Sequence, residues 1–251
     1  MKEKRVKVAF QGERGAYSEE AIFSFFKSEV EVLPYATLNE TFESVTKKNA
    51  NFAVVPVENS LEGSINETYD LLLSSTLKIQ GEINLRIKHS LIARPEIKKK
   101  NIHSVYSHPQ ALAQCRKYIK HLGATPIATY DTAGSVKIIR KNKSNDVAAI
   151  ASSKAASIYG MNVLEDEIED NSNNYTRFFS LSFGEMLPTG NDKTSIIFST
   201  KDVPGALYKV LKEFSDKEIN LTKIESRPTR KKAWEYNFYL DFEGHKDNEN
   251  C

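Results

Sequence analysis

Five groups of polar residues in this chain could do chemistry, and they differ in what they could do. Glu58-Asn59-Ser60 follows the apolar run Phe52-Ala53-Val54-Val55-Pro56-Val57, so three hydrogen-bonding side chains stand where a buried strand should stop. Ligands of open α/β sheets sit beyond the carboxyl ends of strands, which places the triplet where a small polar molecule would be held. The plainer alternative is a polar loop that caps its own backbone. Ser107-His108 invites a nucleophile and its base, yet adjacent residues leaving a strand diverge and no third orienting group follows. Gln110 and Gln114 are one helical turn apart, opposite Leu112, Cys115 and Ile119, on a face that meets either solvent or a cleft. Thr176-Arg177 lies in a β-forming run. A threonine there is ordinarily structural, while Arg177 could fork a carboxylate or pair with the acidic segment 163–170. The turn Gly12-Glu13-Arg14-Gly15 is no phosphate cradle: the spacing of a dinucleotide loop is absent, and Glu19 and Glu20 would repel an anion at the helix start.

Alternating elements must position these groups. A strand at 6–11 leads to a helix N-capped by Ser18, with Glu19 and Glu20 at its positive end and Ile22, Phe25 and Phe26 buried. A strand at 30–34 and a helix at 38–48 follow, then the strand at 52–57 and a helix opened by a Ser64/Glu67 capping box. Three βα units predict a parallel sheet covered by helices. Residues 77–85 and 89–93 read as extended with no helix between, the mark of a chain crossing to a second lobe. There the alternation resumes: strand 102–107, helix 108–121 with Pro109 in its first turn, strand 124–128, a helix to about 141, then strand 146–151 and helix 154–159. After an acidic stretch and the polar loop 171–174, a strand at 176–183 is expected to return to the first lobe. Two lobes joined by paired crossings, near 77–93 and 170–184, leave a cleft suited to a small molecule. Residues 185–192 read as a linker. Beyond it the order β-α-β-β, at 194–200, 205–218, 221–226 and 234–242, matches the first part of a ferredoxin-like domain.

Composition narrows the function classes. An apolar content of 40% can fill a packed core, and a net charge of +2 gives neither a nucleic-acid footprint nor an acidic tail. The basic runs Lys98-Lys99-Lys100 and Arg230-Lys231-Lys232 are short and fall in loops. Two cysteines, Cys115 and Cys251, make no disulfide framework, and with five scattered histidines they give no metal-ligand spacing. The opening MKEKRVKVAF has no apolar signal-peptide run and no stretch reaches the length of a membrane span, so a cytoplasmic location is expected.

Taken together, GERGAYSEEA, VVPVENSLEGSI, YSHPQALAQC and NNYTRFF resemble prephenate dehydratase over nearly the whole first 185 residues. GALYKVLKEF and IESRPT resemble the ACT domain that follows the catalytic part in that family. The resemblance implies an α/β fold: a two-lobed catalytic domain, 1–187, built like a periplasmic binding protein, then an ACT regulatory domain of ferredoxin-like α+β type at 193–251. It implies conversion of prephenate to phenylpyruvate, water and carbon dioxide in phenylalanine biosynthesis, without metal or organic cofactor. The reaction needs help for a departing hydroxyl, and the family places that role on the threonine of the TRF motif, here Thr176. Asn59, Ser60, Ser107 and Gln114 match other positions lining the cleft. Uncharged donors there can hold carboxylates without over-stabilising the ground state.

In the smaller domain, Gly205, Ala206 and Leu207 with Glu225, Ser226, Arg227 and Pro228 match the family's phenylalanine-binding motifs, so phenylalanine is the expected effector and a homodimer or homotetramer the expected assembly. Only EGHKDNENC follows Phe242, too little for a second helix and a fourth strand. An open sheet edge is therefore expected, with weak phenylalanine binding or no clear inhibition. Two alternatives stay open: arogenate dehydratase, acting on the amino analogue, and a non-catalytic amino-acid sensor.

Overall fold

β-Branched runs build the first sheet of the chain, whose computed structural model describes residues 5–27, 29–229 and 234–251; the basic run Arg230-Lys231-Lys232 lies outside them. β1 (Val6–Gln11) pairs in parallel with β2 (Val30–Tyr35) on one side and β3 (Phe52–Asn59) on the other. α1 (Tyr17–Phe25) and α2 (Leu38–Thr46) are the crossovers. α2 opens on a full capping box between Thr37 and Glu40. α1 differs from expectation. Its N-cap is Ala16, which offers no side-chain bond, and Ser18 is already inside the helix. Glu19 takes over the work: its carboxylate accepts from the Gly15 amide at 2.5 Å and from Arg14 Nε at 2.9 Å, and is fully buried. A side chain expected at the exposed helix end thus satisfies an orphan amide inside the protein.

Ser64 is not a cap either. Gly63–Ser64 forms β4, paired with Glu58 and Asn59, and α3 (Asn66–Ser74) starts after Ile65. β3 accordingly runs through Asn59, two residues past the apolar run, because it has partners on both sides there. β5 (Lys78–Arg86) completes the first pass through this lobe.

The second lobe contains β6 (Ser90–Ala93), a 3-10 turn at Lys99–Asn101, β7 (Ser104–Ser107), α4 (Pro109–Gln114), α5 (Arg116–Leu122), β8 (Thr125–Ala128), α6 (Thr132–Lys141), β9 (Val147–Ala151), α7 (Ser153–Tyr159) and β10 (Asn162–Glu165). Its strand order is β10-β6-β9-β7-β8, with β7 parallel to both β8 and β9. The acidic stretch therefore begins as an edge strand, antiparallel to β6. The single helix expected at 108–121 is two helices. Asp170 inserts at the break: its amide donates to Gln114 O at 2.7 Å and its carboxylate accepts from Lys117 N at 3.0 Å, replacing the helical ladder there.

β11 (Tyr175–Ser182) returns to the first lobe and inserts antiparallel between β3 and β5, giving the order β2-β1-β3-β11-β5. The first sheet is therefore mixed rather than parallel. One continuous apolar cluster draws Val8, Phe10, Ile22 and Val54 from the first lobe and Ile92, Val136, Ile139 and Ala149 from the second. Each fully buried Val, Ile or Phe side chain is worth about 1.5–3 kcal/mol, so the lobes are held by a shared core as well as by their crossings.

Residues 186–251 form a separate compact unit. β12 (Lys193–Ser199), α8 (Ala206–Asp216), β13 (Leu221–Pro228) and β14 (Tyr236–Glu243) follow the expected β-α-β-β order, with strand order β12-β14-β13. α8 lies on the Phe242 face, its Phe214 ring 5.3 Å from that of Phe242, and none of its residues is buried. Among the described residues the sheet has three strands, so β12 and β13 each keep one unpaired edge. Among the described residues no helix is long and apolar enough to cross a membrane.

Candidate active site

The side chains that could do chemistry gather where the two inter-lobe crossings meet. The crossings are tied to each other: Ile87 N donates to Asn174 O at 2.8 Å and Ile168 N to His89 O at 2.9 Å. Asn59, at the end of β3, is the register partner of Thr176, near the start of β11. Gln114 arrives from the second lobe at the end of α4, where the Asp170 insertion stops the helix. Asn174 and His89 come from the crossings themselves. All five side chains are buried.

Their orientations follow from one fixed point. The amides of Leu61 and Glu62 donate to Asn59 Oδ1 at 3.0 and 3.1 Å, so Asn59 Nδ2 faces the other way. There its two protons are shared among Asn174 Oδ1 at 2.8 Å, Thr176 Oγ1 at 3.0 Å and Tyr175 O at 3.1 Å. Since Asn174 Oδ1 accepts, its Nδ2 donates to Gln114 Oε1 at 2.9 Å. The same oxygen lies 2.9 Å from His89 Nε2. Amide orientation thus passes from two backbone N–H groups, through three side chains, to a histidine.

Two groups in this chain keep hydrogen-bonding capacity. Thr176 Oγ1 accepts from Asn59, so its own proton has no acceptor among the described residues. Gln114 Nε2 is buried and has no partner among the described residues either. An unpaired buried donor costs about 1–3 kcal/mol, a cost that a bound acceptor would relieve. The site therefore offers uncharged donors, a hydroxyl and an amide, to a ligand rich in oxygen acceptors.

The remaining expected residues do other things. Ser60 is exposed, and its hydroxyl latches the loop before β11, donating to Asn173 O at 2.8 Å and accepting from Tyr175 N at 2.9 Å. Ser107 is fully buried and donates to Ile150 O at 2.6 Å, joining neighbouring strands of the second lobe. The structure does not bring it into the Asn59–Gln114 chain. His108, rather than Ser107, caps α4, its Nδ1 accepting from Gln110 N at 3.3 Å. Gln110 is exposed, so only one of the two glutamines faces inward.

Arg177 pairs with acids of the neighbouring strands and not with the acidic segment: Glu82 of β5 at 2.6 Å and Glu58 of β3 at 3.8 Å. In the smaller unit, Ser199 and Arg227 both register with Asn237. The ends of β12 and β13 therefore lie at one end of the sheet, which brings the chain leading to Gly205, Ala206 and Leu207 to the same end as Glu225, Ser226, Arg227 and Pro228. Gly205 holds φ +78° with open space where a Cβ would stand.

Tyr17 lies inside GERGAYSEEA without being singled out by it, and His89 lies in no motif. Asn174 lies inside NNYTRFF, and a buried asparagine beside Thr176 could have been suspected from it; His89 is a lone histidine before an apolar strand, a pattern that gives no signal. We predict that Asn59→Ala destabilises the chain by about 1–3 kcal/mol, because the Leu61 and Glu62 amides and the Thr176 side lose a common partner. Urea unfolding checks this. A variant as stable as the parent would mean that water takes every place Asn59 left.

A model of the prephenate dehydratase family matches residues 8–185, and one of the ACT domain matches residues 194–250. The chain is 44% identical over 250 residues to a bifunctional chorismate mutase/prephenate dehydratase of Aquifex aeolicus, covering 98% of this chain and 68% of that one. It is 45% identical over 250 residues to arogenate dehydratase/prephenate dehydratase 2, chloroplastic, of Arabidopsis thaliana, covering 95% and 65%. The chain thus spans about two thirds of the length of these curated relatives. A solved prephenate dehydratase from Arthrobacter aurescens in complex with L-Phe superposes with a TM-score of 0.89 at 32% identity, over 98% of this chain and 82% of that one. A solved protein described as a novel type of quorum quenching acylase, GqqA, superposes with a TM-score of 0.88 at 33% identity, over 96% and 88%.

Proposed function

The chain belongs to the prephenate dehydratase family, and from that premise we propose that it converts prephenate to phenylpyruvate, water and carbon dioxide. Thr176 carries the reading: its hydroxyl is oriented by Asn59 and keeps a proton that no described residue accepts. The ring carboxylate leaves as carbon dioxide and the ring hydroxyl as water, and aromatisation drives the step. The barrier lies in expelling a hydroxyl, and a donor fixed on the departing oxygen lowers it. Thr176 is too weak an acid to give up its proton outright, so it acts as an oriented hydrogen-bond donor to the oxygen as it departs, and the one proton that turns the departing hydroxide into water is drawn from solvent. Asn59 fixes the lone pairs and thereby the direction of that proton. Gln114 Nε2 offers a second donor to the substrate's oxygens. Ser60 contributes by latching the loop that carries Asn173 and Tyr175, and Ser107 by holding the end of β7.

Incubating the purified chain with prephenate and following phenylpyruvate absorbance tests the reading; no product would overturn it. Arogenate, run in parallel, decides between the keto acid and its amino analogue. Absence of turnover on both, with binding retained, would favour an amino-acid sensor. An acylase assay run in parallel covers the activity named for the solved protein GqqA.

Phenylalanine is the proposed effector, bound at the end of the ACT sheet where the Gly205–Leu207 segment and the Glu225–Pro228 segment converge; a homodimer or homotetramer is the proposed assembly. α8 has no buried residue and the sheet has three described strands, so little encloses a ligand there. Calorimetric titration with phenylalanine, beside turnover measured with and without it, should therefore show weak binding or no clear inhibition. Tight, saturable binding coupled to strong inhibition would show that the unit is competent as it stands.

A further inference from the structure

One buried group in the site has no role in the chemistry above. His89 lies in the first crossing, almost fully buried, with both ring nitrogens engaged: Nε2 with Gln114 Oε1 at 2.9 Å and Nδ1 with the Tyr17 hydroxyl at 2.7 Å. Tyr17, at the start of α1, packs edge-on against the ring with centroids 5.5 Å apart. Gln114 Oε1 already accepts from Asn174, and it cannot donate. Only a proton on Nε2 makes the His89 contact attractive. Burial holds the imidazole below its ordinary pKa and so favours the neutral ring; with the ring proton on Nε2, Nδ1 is an acceptor that competes with Lys88 O, at 2.8 Å, for the single proton of the Tyr17 hydroxyl.

We propose that His89 is a positioning residue for the reaction: in its Nε2–H tautomer it clamps Gln114 Oε1 together with Asn174, and thereby turns the unpartnered Gln114 Nε2 towards an oxygen acceptor of the substrate, a carboxylate by chemical class. This rests on the reaction proposed above. Without His89 only the Asn174 bond holds the Gln114 oxygen, and the amide rotates more readily, because its oxygen and nitrogen are nearly the same size and only hydrogen bonds tell them apart. A rotated amide would present its oxygen to a carboxylate and repel it. Two crossings and an α4 end are thus converted into one correctly aimed donor.

Two measurements test the proposal. Long-range proton–nitrogen correlation spectra of the labelled full chain, with His89 assigned by its loss in His89→Gln, should show a protonated Nε2 and a bare Nδ1. A ring protonated on Nδ1 alone, or on both nitrogens, at neutral pH would overturn the assignment. In kinetics, His89→Leu should raise KM for prephenate by about tenfold, the usual scale of one lost buried hydrogen bond, with a smaller change in kcat. His89→Gln, whose own Nε2 can reach the same oxygen, should recover most of the loss. A folded His89→Leu with the parent's KM, or a His89→Gln no better than leucine, would sink the idea. A parent chain that turns over neither prephenate nor arogenate would instead sink the reaction, and the amide orientation would then stand or fall on the tautomer.

Discussion

Thr176→Ala is expected to lower kcat and kcat/KM together by about a hundred- to a thousand-fold, the usual worth of one oriented hydrogen-bond donor to developing negative charge. That corresponds to roughly 3–4 kcal/mol in barrier. The fold should survive, because the lost hydroxyl is only one of three acceptors for Asn59 Nδ2, and Asn174 Oδ1 and Tyr175 O remain. Thr176→Ser keeps the hydroxyl and should keep much of the activity, though it loses the β-branch that suits a strand. Steady-state kinetics beside thermal melts separate the two effects. A variant of unchanged melting temperature that keeps more than about a third of the parent's turnover would remove Thr176 from the mechanism, since that is less than 1 kcal/mol of barrier.

The second large effect is on stability, at Gly15. Its φ of +87° belongs to the left-handed region, and a Cβ built there would stand 2.6 Å from Ala155 Cα, on the backbone of α7. Gly15→Ala should therefore combine backbone strain above the 0.4–1 kcal/mol scale of permitted Gly→Ala changes with overpacking of about 1–3 kcal/mol. The contact lies between lobes: Gly15 O also accepts from Ser152 Oγ at 2.7 Å, and its amide donates to Glu19. We expect about 2–4 kcal/mol lost in urea unfolding, together with reduced activity as the lobes shift. A variant that unfolds within about 0.5 kcal/mol of the parent would mean that α7 yields freely, contrary to the shared core of Ile22, Val136 and Ala155.

Much of the architecture was legible without coordinates. β-Branched runs, helical stripes and turn residues gave the alternation of the first three βα units, the crossing after the third, and the β-α-β-β order of the smaller unit. These signals are local, each set by the period of a few neighbouring side chains. The Thr37/Glu40 box that opens α2 is just as local, whereas Ser18 and Ser64 have the residue type of a cap and are not caps. A cap depends on where the helix begins, and tertiary pairing moved both starts: β4 against β3 delayed α3, and the Glu19 carboxylate turned back on Gly15.

The sequence by itself determined the family, through motifs in order, and it named Thr176, Asn59 and Gln114 as members of one site. Tertiary structure alone decided how those three work together. The break between α4 and α5 depends on Asp170, more than fifty residues away, which takes the Gln114 carbonyl. The partners of Arg177 are Glu58 and Glu82 because sheet order sets β11 between β3 and β5, a fact no local pattern holds. The direction of each amide, from Leu61 and Glu62 through Asn59 and Asn174 to Gln114 and His89, is set by bonds spanning up to 117 residues. Hydrogen-bond donors and acceptors have no meaning until they face one another, and only the folded chain makes them do so.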